Sequence, residues 1–86
     1  MKIALNVISE GTKDRQEQLE RMLKTAAPFV DGVYITFTKS EETKEYFEKK
    51  YGAHINYFEW CFDFELARNF ALDSVPKEYD YILWLD

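Results

Sequence analysis

Tyr81-Ile82-Leu83-Trp84-Leu85-Asp86 closes the sequence with five apolar residues in a row and then an acid. An apolar run of this length, with no polar alternation, predicts a parallel-sheet strand covered on both faces. Three more strand patterns precede it. Residues 2–8 are rich in Ile, Val and Leu and stop at Ser9-Glu10-Gly11; residues 32–37 read Gly-Val-Tyr-Ile-Thr-Phe; residues 54–58 form a third, shorter run.

Between these runs the period changes to that of a helix. Over residues 14–27, Leu19, Met22, Leu23 and Ala26 fall on one face, Asp14 and Glu17 have a capping-box spacing, and Pro28 closes the segment. A second helix is expected from 40 or 41 to 51. Glu41 and Glu42 suit its positive end, Lys49 and Lys50 its negative end, and Gly52 stops it. A third starts near Asp63, sets Phe64, Ala67, Phe70 and Ala71 on one face, and ends before Pro76. The resulting order, β-α-β-α-β-α-β with short connections, predicts one α/β domain over residues 1–86: a Rossmann-like parallel sheet with right-handed crossovers and helices on both faces. An apolar strand at the very end, with no polar tail after it, reads as part of a larger domain.

Composition narrows the function classes. Hydrophobic residues make up 47% and aromatics 17%, enough for a packed core. The formal net charge of −5 argues against a nucleic-acid groove, which needs clustered Lys and Arg. Cys61 is the sole cysteine and His54 the sole histidine, so an internal disulfide and a Cys/His metal cluster are both excluded. A lone thiol beside Trp60 reads as a small core residue. No signal peptide or transmembrane run is present, and the chain reads as soluble and cytoplasmic. There is no G-x-G-x-x-G and no G-x-x-x-x-G-K-S/T, and three glycines cannot build a glycine-rich phosphate loop. Asn6-Val7-Ile8-Ser9 lacks the paired acids of a phospho-receiver, and Ser9-Glu10-Gly11-Thr12 is a poor flavodoxin-type phosphate loop.

In open α/β sheets, ligands bind outside the carboxyl ends of the strands. That rule selects Ser9-Glu10, the segment 36–40, the segment 59–63 and Asp86, all on one rim. Asp86 stands at the end of a rigid strand, where a carboxylate suits a hard divalent cation. The strand pattern by itself leaves that reading level with an acid that ends a strand and faces water.

The segment Phe58-Glu59-Trp60-Cys61-Phe62-Asp63-Phe64-Glu65-Leu66-Ala67-Arg68-Asn69-Phe70-Ala71-Leu72, followed by Tyr81 to Asp86, resembles family-2-type glycosyltransferases of the GT-A fold. That group carries Trp-x-Asp-Asp-Phe-x-x-Ala-Arg-Asn and then an apolar strand ending Trp-Leu-Asp-Ala-Asp, whose last three residues are the DxD motif. Pro28-Phe29-Val30-Asp31 and Lys49-Lys50-Tyr51-Gly52-Ala53 fit before the second and third strands. The resemblance implies the N-terminal part of a GT-A domain that binds a nucleotide-sugar donor for transfer to an unknown acceptor. It implies that Asp86 is the first DxD aspartate, facing the donor and a Mn²⁺ or Mg²⁺ ion that neutralises the diphosphate. It sets Arg68 near the nucleotide and Asp63 at the second acid of the Asp-Asp pair; from the residues alone, Asp63 equally reads as the N-cap of the third helix. Glu10 keeps the acid after the first strand, and Thr36 occupies the position of a base-contacting carboxylate. The catalytic base is expected beyond residue 86, so none of these residues is assigned to catalysis. Phe62 stands where the family has the first acid of the Asp-Asp pair, Ser9 where it has an amide, and Glu41 where it has a later acid. These departures keep a second expectation open, a non-catalytic binding or interaction module that retains the fold without the donor site.

Overall fold

The computed structural model describes residues 1–85. Its elements are β1 (Ile3–Ser9), α1 (Lys13–Ala26), a 3₁₀ turn (Ala27–Phe29), β2 (Gly32–Phe37), α2 (Lys44–Tyr51), β3 (His54–Tyr57), α3 (Phe64–Asp73) and β4 (Tyr81–Leu85). The four strands form one all-parallel sheet in the order β3-β2-β1-β4. Leu5 of β1 lies level with Val33 of β2 and Leu83 of β4, and Ile35 of β2 lies level with Ile55 of β3.

Side chains alternate across a strand, so each strand residue belongs to one of two layers. Leu5, Val7, Val33, Ile35 and Phe37 point to the layer filled by Leu19, Leu23 and Ala26 of α1 and by Phe47 of α2. Leu23, Phe37 and Phe47 are wholly buried there, and each contributes roughly 1.5–3 kcal/mol through burial. The alternate residues Asn6, Tyr34 and Thr36 point the other way, toward α3, which buries Ala67 and Ala71. Two alanines on that face allow close approach, and Asn6 Nδ2 donates to the Ala71 carbonyl at 2.9 Å.

The two helices of the first layer are tied at Glu20. One carboxylate oxygen accepts from Tyr46 at 2.6 Å, from Tyr51 at 3.2 Å and from the Lys50 ammonium. Lys50 and Tyr46 hold this carboxyl down from its ordinary 4.5 to about 2, and Glu20, with Tyr46, raises Lys50 in turn.

Several expected boundaries shift for identifiable reasons. The N-cap of α1 is Thr12 rather than an Asp14–Glu17 box, and the exposed N–H of Lys13 donates to Glu42 at 3.0 Å. Helix α2 begins at Lys44 because the preceding residues are occupied otherwise. Ser40 Oγ accepts from Glu42 N at 3.1 Å, and Thr43 Oγ1 donates to the Gly11 carbonyl at 2.9 Å. Gly52 ends α2 in the left-handed conformation, φ 62°, as expected for a helix stop.

Two corrections concern burial. The strand β4 is not covered on both faces: it lies at the sheet edge, and Tyr81, Ile82 and Leu83 are 62%, 39% and 44% exposed. Helix α3 lies across β1 and β2, so only Trp84 and Leu85, at the carboxyl end of β4, are partly covered. For the same reason Phe64 and Phe70 of α3 stay partly exposed beside the buried Ala67 and Ala71. Cys61, expected in the core, is exposed on the loop between β3 and α3.

Candidate functional site

The carboxyl ends of parallel strands all open on one rim, and the loops that leave them are sewn together by backbone hydrogen bonds. Thr38 N donates to Ser9 O at 3.0 Å, Lys39 N and Ser40 N donate to Glu10 O at 3.1 and 2.9 Å, and Trp60 N donates to Thr38 O at 3.2 Å. Gly11 makes the closest approach possible. With φ at 82°, any Cβ there would stand 1.9 Å from the Ser40 carbonyl and 2.6 Å from the Phe37 ring.

Between these loops lies a cleft of about 540 Å³, lined by Ile8, Ser9, Glu10, Thr38, Lys39, Trp60 and Phe64. Its size falls in the range of small-molecule sites. One part of the wall is aromatic: the Trp60 and Phe64 rings meet edge to face with centroids 6.2 Å apart. Phe62 extends this group at the lip, 6.4 Å from Trp60, and is 92% exposed. The polar part holds one carboxylate, one ammonium and two hydroxyls, those of Glu10, Lys39, Ser9 and Thr38.

Each sequence-derived candidate has a distinct relation to this cleft. Glu10 lines it, and its carboxylate pairs with Arg15 at 3.4 Å. Asp63 is the N-cap of α3, where Oδ1 accepts from Leu66 N at 3.2 Å. By fixing the first turn, that cap sets Phe64 into the cleft wall. Arg68, one turn further along α3, stacks its guanidinium 3.6 Å from the centre of the Trp84 ring and 4.8 Å from that of Phe64. It therefore joins β4 to the aromatic wall. Thr36 sits inside β2, level with Ile8 and Asn56, and is 1% exposed. Its hydroxyl has no hydrogen-bond partner among the described residues, and it does not line the cleft. Asp86 lies outside the described residues.

Thr38, Lys39 and Trp60 line the cleft from the segments 36–40 and 59–63 that the topology rule selects, though none of them is singled out there by its own chemistry, and Phe64, read only as part of an apolar helix face, joins them. The strand pattern carries a partial signal. A side chain inside a strand faces a layer, whereas the first residues past its end face the rim, which favours 38 and 39 over 36. Trp60 and Phe64 carry the hydrophobic look of core residues, and only the loop geometry separates them from the core.

Among the described residues there is no group of three or more His, Cys, Asp or Glu side chains that could hold a metal ion. Asp86 is the residue to which the sequence resemblance assigns a metal. No helix among the described residues is long and apolar enough to cross a membrane. No protein-family profile, curated protein or solved structure matches this chain.

Proposed function

We propose that this chain is the donor-binding portion of a glycosyltransferase of the family-2 type, built as the Rossmann-like N-terminal part of a GT-A domain. In this reading it holds a nucleotide sugar whose sugar passes to an acceptor not defined by these residues. The observation that carries the reading is the strand order. The chain runs outward from β1 to β2 and β3, then returns to place β4 on the other side of β1. The order therefore reverses between β1 and β4, and ligands of open α/β sheets bind at the carboxyl ends beside such a reversal. Glu10 follows β1 there, Asp86 follows β4 in sequence, and the adjoining cleft has an aromatic wall suited to a flat base.

Within this site the residues have separate tasks. The Trp60 and Phe64 rings offer a stacking surface. Arg68 offers a planar cation next to that wall, suited to an anionic diphosphate. Asp63 positions α3 and, through it, both Phe64 and Arg68. Asp86 is the residue that would hold Mn²⁺ or Mg²⁺, and such an ion supplies charge neutralisation of the diphosphate.

The reading is tested by calorimetric titration of the chain with uridine and guanosine diphosphates in the presence of Mn²⁺. Saturable binding is expected, weakened roughly tenfold or more by Arg68→Ala and by Asp86→Ala. One observation favours the alternative of a non-catalytic module: the position of the base-contacting carboxylate holds the buried Thr36. Absence of saturable binding to either diphosphate would favour that alternative over the donor site.

A further inference from the structure

If a nucleotide enters the cleft, some side chain must read its base, and Thr36 is buried too deeply to do so. The remaining polar groups of the lining differ in what they can discriminate. The hydroxyls of Ser9 and Thr38 both donate and accept, so they suit any base edge. The Glu10 carboxylate is engaged by Arg15. Lys39 is different: an ammonium has three donors and no acceptor.

The setting of Lys39 makes that donor character consequential. Its backbone is held at both ends, its N–H donating to Glu10 O at 3.1 Å and its carbonyl accepting from the Tyr57 hydroxyl at 3.4 Å. The flexible side chain thus starts from a fixed point on the cleft wall. In a chain of net charge −5, no ion pair among the described residues includes Lys39. Its charge remains available to a ligand.

We infer that Lys39 is the base-selecting residue of this cleft, favouring bases that present a carbonyl oxygen over those that present an amino group. The inference rests on the nucleotide-binding reading above. Uracil and guanine offer O4 and O6 where cytosine and adenine offer an N–H₂ group. A carbonyl accepts from the ammonium. An amino group facing it leaves two donors opposed and both unsatisfied.

The experiment is a titration of the chain and of Lys39→Met and Lys39→Arg with UDP, CDP, GDP and ADP, with uridine as a phosphate-free probe. Lys39 is exposed on a loop, and circular dichroism checks that the variants stay folded. The expected result is UDP bound roughly tenfold more tightly than CDP, and GDP than ADP. Lys39→Met should bring each pair to within about twofold, while Lys39→Arg, still a pure donor, keeps the preference. Equal binding within each pair by the unmodified chain, or a preference that survives Lys39→Met, overturns the inference. So does a loss of UDP affinity in Lys39→Met with uridine unaffected, which would assign Lys39 to the phosphates. Failure of all four diphosphates to bind is a separate outcome. It removes the nucleotide reading itself, and base selection with it.

Discussion

Phe62 is the residue with the least local reason to be what it is. It is the one non-glycine residue with positive φ among the described residues, at 63°, and its side chain is 92% exposed. The left-handed conformation costs a bulky residue about 1 kcal/mol or more, whereas Gly, Asn and Asp adopt it readily. An edge-on contact with Trp60 returns only part of that cost. Phe62→Gly should therefore raise stability by about 0.5–1 kcal/mol, read as an increased urea midpoint at unchanged m value. A lowered midpoint would show that the aromatic contact outweighs the backbone strain. The glycosyltransferase pattern has an acid at this position, a residue type that tolerates the conformation, so the departure has a backbone consequence as well as a chemical one. Reading residues one at a time succeeded where local geometry was at stake: Asp63 followed by an apolar helical face was legible as a cap. Thr36 was given a base-contacting position by resemblance although the strand pattern runs past it to Phe37, and its register with β1 and β3 buries it.

At the level of elements, apolar or β-branched runs separated by segments of period 3.6 carried the four strands and three α-helices of the described residues, since each has its own pattern and stop signal. What they missed were starts governed by distant partners. The late start of α2 depends on Thr43 bonding to Gly11, a contact across 32 residues. The α1–α2 clasp is equally non-local, and it makes a pH prediction. Glu20 has its carboxyl lowered in the folded state, chiefly by Lys50 and Tyr46. In the interval from 4.5 to about 2 the unfolded chain binds a proton that the folded chain does not, so the folded state loses stability as pH falls through that interval. Above 4.5 the contribution is complete. Glu20→Gln should flatten the dependence of the unfolding midpoint on pH between about 4.5 and 2 and leave its slope near neutrality unchanged. An unaltered acid limb would show that this clasp does not govern acid unfolding.

For the molecule as a whole, the parallel α/β architecture was legible in sequence, but the strand order was not. Five apolar residues in β4 look like the centre of a sheet, and only the pairing with β1 alone reveals an edge. The candidate site follows the same division. The rim positions after β1, β2 and β3 were predictable from topology rules, whereas the cleft depends on how their loops are bonded to one another. The position of β4 also bears on behaviour at high concentration. Its outer side carries amides with no neighbouring strand among the described residues, on a segment without charge or proline. Such a segment is a template for strand addition by other copies and so for turbidity and fibre growth. Leu83→Lys, which places a charge on the exposed middle of the strand, should lower light scattering of concentrated solutions and delay any thioflavin-positive phase. Storage life in solution, rather than melting temperature, is the property expected to change with this edge.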